Sequence, residues 1–281
     1  MDEGKTTRTD SPETPLSQKG EQGPFISFII TGFGPFGGVA DNPTTTLVQE
    51  LQHIYPINSS DPLTQQSDEL NVLSYQLIDT CISGVKKASS EIESLILEST
   101  RRTNHHHHVV ILHLGVNAGG DTFQLETTAF NEASFRIPDN EGNQPKKEHI
   151  DKDQPFRHRL QTSLPVKRIL GLGQWDEYDN NVKLSGDAGR FICNYVYWTT
   201  LNGIDKGVYG SREVQDEGSE EVKENEEGKK VQVHGLFVHV PSFEKISEAT
   251  QVDFVCQLLR AVDYCLTNPK KKKTKKKRRN E

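Results

Sequence analysis

The sequence predicts an α/β fold, a three-layer sandwich in which helices flank a twisted, largely parallel central sheet, with disordered termini. The main observation is that apolar runs of strand length alternate with segments of helical periodicity. The predicted strands lie, in chain order, at residues 25–31, 71–78, 109–115 and 234–240. The predicted helices lie at residues 43–54, 84–101, 187–201 and 247–266. This order is typical of parallel pairing, because a crossover helix returns the chain to the edge from which it started.

Residue-level signals support the individual elements. The first apolar run, FISFIIT, is bounded by Gly and Pro, which is typical of a buried strand. Asn42 followed by Pro43 predicts a helix start, because Asn caps a helix well and Pro fits its first position. For the predicted helix at 187–201, the candidate N-cap residues are Ser185 and Asp187.

The predicted organisation is a single domain with polar appendages. Residues 24–268 form the α/β domain, and residues 1–23 have no hydrophobic periodicity and predict a disordered tail. An acidic stretch at about 209–230 predicts a solvated insertion loop. Residues 269–281 predict a second disordered tail, rich in Lys and Arg.

The charge is distributed very unevenly along the chain. The formal net charge is −7, but nine basic side chains lie in the run KKKKTKKKRR at 270–279. The body of the chain is therefore strongly acidic, which argues against a nucleic-acid-binding domain. The basic run itself predicts a nuclear localisation signal, a tether to an anionic surface, or a disordered solubilising tail.

Two classes of protein are not expected from the hydropathy pattern. No apolar stretch approaches the roughly 18 residues that a membrane helix needs, so no membrane span is expected. The first residues lack the apolar segment of a secretory signal, so the sequence predicts a cytosolic protein with reduced thiols.

A glycine-rich motif, GFGPFG, directly follows the first predicted strand. Its form is the G-x-G-x-x-G of dinucleotide-binding proteins, which makes an oxidoreductase one alternative. However, Pro35 removes one backbone amide, and the helix starts only at Pro43, too late to hold a pyrophosphate. The remaining interpretations are a surface turn, or a loop that holds Phe33 and Phe36 beside a site.

One of the four cysteines differs from the others in its surroundings. Cys193 lies near the start of a predicted helix, where a thiolate is stabilised, and small residues precede it. Cys81, Cys256 and Cys265 fit the pattern of buried core residues.

A nucleophilic cysteine needs a base, and the histidines offer one good candidate. His239 closes the strand at 234–240, and ligands of open α/β sheets bind at the carboxyl ends of the strands. His113 lies inside an apolar strand and is predicted to be a core residue. The tract His105–His108 predicts a solvated loop more strongly than a metal site.

A carboxylate could orient that histidine, as the third member of a catalytic triad. Glu126 is a candidate, and on chemistry alone Asp121 and Asp139 are equally acceptable.

Five motifs, in this order, make the chain resemble the pyroglutamyl-peptidase I family of cysteine peptidases, also called pyrrolidone-carboxylate peptidases. They are TGFGPFGG with Asn42-Pro43, GVNAGG at 115–120, Glu126 with Asn131 and RIPDNEGNQP, SGDAGRFICN at 185–194, and FVHVP at 237–241. The resemblance spans residues 25–266. It implies an α/β sandwich, and the polar appendages favour a eukaryotic member, for example from a plant.

The resemblance implies an activity and a set of site residues. The activity is removal of N-terminal pyroglutamate from peptides without a metal or other cofactor. The implied triad is Cys193 as nucleophile, His239 as base and Glu126 as orienting carboxylate, with Arg136 supporting the oxyanion. The residues implied to line the substrate pocket are Phe33, Phe36, Asn117, Ile137, Phe191 and Ile192. A catalytically inactive family member is the main alternative, and the oligomeric state stays open.

Overall fold

The computed structural model describes residues 24–57, 70–102, 106–173, 175, 181–209 and 231–269. The predicted tail at 1–23, the basic run at 270–279 and nearly all of the predicted insertion lie outside these residues.

The described residues form eight strands and five helices. The strands are β1 (Phe25–Phe33), β2 (Asn71–Ile78), β3 (His107–Val116), β4 (Phe123–Glu126), β5 (Thr128–Phe130), β6 (Arg159–Gln161), β7 (Val182–Ser185) and β8 (Val231–Val240). The helices are α1 (Pro43–Ile54), α2 (Ile82–Arg102), α3 (Val166–Leu170), α4 (Ile192–Asp205) and α5 (Glu248–Thr267).

Six of these strands form the central sheet, in the order β2-β1-β3-β8-β4-β7. Strands β2, β1, β3 and β8 are mutually parallel, and β4 runs antiparallel to β8 and parallel to β7. Strands β5 and β6 form a separate antiparallel ribbon. The largely parallel sheet predicted from the alternation of elements is confirmed, and its four parallel strands end at one common edge.

Helices cover both faces of the sheet, which confirms the three-layer prediction. Side chains of α1, α3 and α5 pack on one face, in a core that includes the stacked rings of Phe123 and Phe254 at 3.8 Å. Helices α2 and α4 pack on the other face, where Trp198 and Phe237 are fully buried. Within strand β8, alternate residues therefore point to different helical layers.

Helix α4 begins later than predicted. Its N-cap is Phe191, and the candidate caps Ser185 and Asp187 lie in the preceding loop. The cause is Gly189, whose φ of 79° is left-handed and cannot continue a right-handed helix. Cys193 is therefore the second residue of the helix.

The histidine tract corrects a second prediction. Strand β3 begins at His107, and its side chain is buried rather than solvated. The ring accepts or donates a 2.7 Å hydrogen bond at Ser27 Oγ, and its backbone pairs with Phe25 and Val231. The neighbouring His105 lies outside the described residues.

Other core predictions hold. His113 is fully buried and hydrogen-bonds Thr31 at 2.7 Å and Thr200 at 2.8 Å. Cys81, Cys256 and Cys265 are buried. None of the helices in the described part of the chain is long and apolar enough to cross a membrane.

Candidate active site

The start of α4 places Cys193 at the carboxyl edge of the sheet. The side chain is half-buried, and the helix N-terminus leaves the first backbone N–H groups of α4 without helical partners. The next residue, Asn194, is fully buried and exchanges 2.9 Å hydrogen bonds with the backbone of Phe130. The nucleophile candidate is therefore held on a fixed turn of helix rather than on a free loop.

Gly115 allows this helix to approach the sheet. A Cβ atom at this position would collide with the ring of Phe237 and lie 3.2 Å from Cys193 Sγ. Only glycine leaves that space open, so the end of β3 forms the floor beneath the thiol.

His239 faces the same helix from strand β8. It lies opposite Gln124 of β4, and Glu126 lies opposite Phe237, so all four side chains share one face of the sheet. From this diagonal position, Glu126 Oε1 lies 2.8 Å from His239 Nδ1. The other ring nitrogen is left for Cys193, whose side chain interacts with that of His239.

The carboxylate beside the histidine is Glu126, one of the three that the sequence left open. It is fully buried, and its backbone carbonyl accepts a 2.8 Å hydrogen bond from the Tyr197 hydroxyl. Asp139 instead accepts hydrogen bonds from the backbone of Ile82 and Asn143, which fastens its loop to α2. Asp121 lies exposed in a turn.

These contacts favour a charged imidazole at the centre of the site. Burial alone would lower the pKa of His239. The hydrogen bonds and charges of Cys193 and Glu126 outweigh it and raise that pKa from 6.5 to about 9. At neutral pH the His239 imidazole, which lies between Cys193 and Glu126, is therefore protonated.

A small apolar pocket adjoins the thiol. Its lining residues are Phe33, Phe36, Asn42, Thr80, Val116, Phe191, Ile192 and Cys193. Four of these were predicted to line a substrate pocket. The rings of Phe36 and Phe191 lie 6.0 Å apart, and Phe135 packs edge-on against Phe191 at 4.8 Å. The pocket holds only about 10 Å³ of free space, so a ring can enter only when these side chains move apart.

An open cleft of about 450 Å³ continues from the pocket across the site. The cleft is lined by Asn117, Arg136 and Ile137, which are the remaining predicted residues, and by Cys193 and His239. The Arg136 side chain is exposed, and no described residue pairs with its guanidinium. All ten predicted residues thus lie in or directly behind one continuous site.

In the structure, the glycine-rich motif serves the packing of β1 against α1 and the placement of Phe36. Gly32 lies in close contact with α1, because a Cβ atom there would lie 2.6 Å from the Thr44 carbonyl oxygen. The loop that follows is fastened by Asn42, which donates to the Gly34 carbonyl at 3.0 Å. It presents Phe36 to the pocket instead of backbone amides to a phosphate.

Two kinds of site residue were missed from the sequence. Gln124 lines the cleft beside His239, but its strand is too short to be predicted from the sequence. Asp187, Ala188 and Gly189 form one wall, where a helix was expected. Within the described residues, no group of His, Cys, Asp and Glu side chains is arranged to hold a metal ion.

Sequence comparison identifies the chain's relatives. The model of the family described as pyroglutamyl peptidase matches residues 26–213. A pyrrolidone-carboxylate peptidase from Fusobacterium nucleatum is 29% identical over 188 residues, 66% of this chain and 73% of that protein. The corresponding peptidase from Pyrococcus furiosus is 26% identical over 177 residues, 63% of this chain and 73% of that protein.

Structural comparison shows a similar fold over most of the chain. A mutant pyrrolidone carboxyl peptidase from Pyrococcus furiosus superposes with a TM-score of 0.60 at 22% identity, over 85% of this chain and 99% of that one. Pyroglutamyl peptidase I from Bacillus amyloliquefaciens gives 0.57 at 20% identity, over 84% and 95%. At these identities the likeness concerns the fold. Because the family match covers well over half of the sequence, the chain belongs to the pyroglutamyl peptidase family.

Proposed function

We propose that this chain is a cysteine peptidase that removes an N-terminal pyroglutamyl residue from peptides. Family membership supports the substrate class. The observation that carries the proposal is the line of side chains Cys193, His239 and Glu126, which lies where an apolar pocket meets an open cleft.

The pocket suits the chemistry of a pyroglutamyl ring. The lactam carries no ammonium group, so an ionic contact would gain nothing, and flat apolar walls such as Phe33 and Phe36 fit it better. Asn42 and Thr80, both buried, are the polar side chains among the residues that line the pocket. A pocket that hydrogen-bonds the lactam should reject proline, because its own polar groups would then be left without partners.

The reaction follows from the order of the three side chains. The Cys193 thiolate attacks the carbonyl carbon after the ring, which forms a C–S bond and a negatively charged oxygen. Protonated His239 gives its proton to the leaving amine as the C–N bond breaks. Neutral His239 then takes a proton from water, whose oxygen attacks the thioester, and 5-oxoproline and the free thiol are released.

Two features stabilise the charges that develop. Glu126 holds the imidazolium in orientation through the bond to Nδ1. The oxyanion would be stabilised by the unpaired backbone N–H groups at the start of α4 and by the Arg136 guanidinium in the cleft. Loss of one such donor typically costs about 3–4 kcal/mol of barrier.

The order of the strands in the sheet suggests the direction in which a bound peptide crosses the site. The apolar pocket lies at the ends of β1 and β3, whereas His239 is on β8 and Gln124 on β4 beyond it. With the ring in the pocket, the leaving peptide therefore runs past His239 and along Gln124.

A catalytic thiol has to stay reduced, so the proposed activity fits a reducing compartment such as the cytosol. Fractionation of cells that express the chain would test this placement. Nuclear targeting by the run at 270–279 stays a prediction from the sequence alone.

The proposal is tested by release of a fluorophore from a pyroglutamyl arylamide. The wild type is measured beside Cys193→Ser, with prolyl and glutamyl arylamides as controls. We expect turnover of the pyroglutamyl compound alone, and its loss in the folded variant. A folded wild type that is inactive in reducing buffer would instead support the non-catalytic family member.

A further inference from the structure

The loop between β7 and α4 is both a wall of the cleft and the entry to the nucleophile. Asp187, Ala188 and Gly189 line the cleft, and Cys193 follows four residues later. Inside the loop, Gly189 N–H and the Arg190 guanidinium both donate to Asp187 Oδ1, so the turn is closed on itself. Contacts that hold this turn in place relative to the rest of the fold therefore also determine the position of the Cys193 thiol.

The Arg190 side chain makes that connection. Its Nε donates to Glu132 Oε2 at 3.0 Å, and its guanidinium lies 4.1 Å from the centre of the Phe130 ring. The backbone carbonyl of Arg190 accepts a 3.0 Å hydrogen bond from Ser134 N–H. Both ends of this residue are thus held by the segment that follows β5.

The other side of Cys193 is held by the same segment. Asn194 Nδ2 donates to the carbonyl oxygens of Phe130 at 2.9 Å and Glu132 at 3.0 Å. We call the side chains of Glu132, Arg190 and Asn194 the Arg190 clamp. It fastens the chain three residues before the thiol and one residue after it to one short stretch of backbone.

Glu132 is well placed to be the centre of the clamp. Its side chain is only 3% exposed, and Arg157 donates to it through Nε at 2.7 Å and Nη2 at 3.3 Å. The hydrogen bonds from Arg157, followed by those from Arg190, lower the pKa of this carboxyl despite its burial. The carboxylate therefore stays charged and holds two cations, of which Arg190 is the one that also binds Asp187 in the cleft wall.

We propose that Arg190 is a positioning residue of the peptidase reaction, which acts by holding the cleft wall and the start of α4 in register with His239. This proposal rests on the proposed function. Loss of the Glu132 contact frees the turn at Asp187–Gly189, and small displacements of a nucleophile are costly. A misplacement of about 1 Å can reduce the rate about 100-fold.

The chain offers a matched control at Arg157. Both arginines donate to the same carboxylate, and each substitution leaves Glu132 with one cation. Arg157 is 60% exposed and stacks on Phe156, away from the cleft. Arg157→Gln should therefore reproduce the electrostatic change at Glu132 without releasing the turn.

The experiment compares the wild type with Arg190→Gln, Arg190→Lys and Arg157→Gln. For each protein, kcat and KM for a pyroglutamyl arylamide, the thermal midpoint, and the rate of Cys193 alkylation by iodoacetamide are measured. We expect kcat/KM to fall about 10- to 100-fold in Arg190→Gln, with an altered alkylation rate. We expect Arg157→Gln to stay within about twofold of the wild type at a similar thermal midpoint.

Equal losses in Arg190→Gln and Arg157→Gln, or losses that follow the thermal midpoint, would overturn the proposal. Should Arg190→Gln fail to fold, Arg190→Lys decides, because lysine keeps the charge but not the stacked, planar group. Wild-type kinetics in a folded Arg190→Lys would then count against the clamp. A wild type without activity would reject the proposed function, and the alkylation rates would still report on the clamp.

Discussion

Strand β8 carries a histidine near each end, and the two side chains differ in their partners rather than in their burial. His234 and His239 are each 8% exposed. His234 lies 2.9 Å from a ring nitrogen of His108 and 2.7 Å from Ser163 Oγ. Burial, followed by the charge of His108, lowers the pKa of His234 to about 4.

At the other end of the strand, His239 lies between the Glu126 carboxyl group and the Cys193 side chain. Glu126 and Cys193 raise its pKa to about 9, although burial acts against them. The difference shows that burial alone does not decide whether a histidine is a neutral core residue or a charged catalytic group. The chemistry of the neighbouring strand and helix decides it.

The largest effect is expected when the carboxylate of Glu126 is removed, because His239 then loses the partner that distinguishes it from His234. In Glu126→Gln, His239 keeps a hydrogen-bonding neighbour but loses the buried charge that orients and stabilises the imidazolium. By analogy with the corresponding change in serine peptidases, we expect kcat to fall by about 10³- to 10⁴-fold. Single-turnover kinetics on a pyroglutamyl arylamide measures it, and the thermal midpoint serves as the control. A loss below about tenfold in a folded variant would contradict the role given to Glu126.

At the amino end of β8, we expect His234 to affect the stability of the fold rather than the activity. Because folding lowers the pKa of His234 from 6.5 to about 4, the unfolded chain binds a proton that the folded chain does not. The related stability is therefore full above pH 6.5 and is lost as the pH falls toward 4.

In His234→Gln, the free energy of unfolding should decline less over this range, by up to about 3 kcal/mol, while activity at pH 7 is kept. Urea denaturation at several pH values measures this difference. His53→Gln, at an exposed position on α1, is the matched control. Parallel pH curves for the wild type and both variants would show that His234 makes no such contribution.

At the carboxyl end of β8, the contribution of His239 to stability changes with pH in the opposite direction. Folding raises the pKa of His239 above 6.5, so the stability it adds is full below pH 6.5 and is lost as the pH rises toward 9. Since the leaving amine needs the protonated imidazole, kcat/KM should decline above about pH 9.

In Glu126→Gln this alkaline limb should move down by about one pH unit or more, and in His234→Gln it should not move. Profiles of kcat/KM from pH 6 to 10 test both. An alkaline limb at the same pH in all three proteins would mean that another group controls it.

The long elements could be predicted from the sequence because their signals are local. The apolar run of β1 and the cap at Asn42 specify their structures within a few residues. Strand β4 has only four residues, and its place beside β8 depends on pairing across more than 100 residues of chain. The burial of His107 likewise depends on Ser27, 80 residues away.

The same distinction applies to the site. Cys193 and His239 carry local signals, namely a helix start and the end of an apolar strand. The choice of Glu126 over Asp121 and Asp139 could not be made from chemistry, because the register of β4 against β8 decides which carboxylate reaches the histidine. The family match ends at residue 213, so it does not include His239, whose place in the site rests on the contact with Glu126.

The smallest effect is expected at Gln124, the cross-strand neighbour of His239. It tests whether substrate binds at the carboxyl end of β8. Among the residues that the structure describes, the Gln124 side chain contacts only Thr122 Oγ1, at 3.5 Å, which leaves it available to bind the first carbonyl of the leaving peptide. In Gln124→Leu, kcat/KM should fall about fivefold for a pyroglutamyl peptide and remain unchanged for an arylamide, which lacks that carbonyl. Thr122→Val, which alters only the protein contact, should leave both values near those of the wild type. Equal losses for the two substrates in Gln124→Leu would mean that Gln124 acts by supporting His239, and the leaving peptide would then take another path out of the cleft.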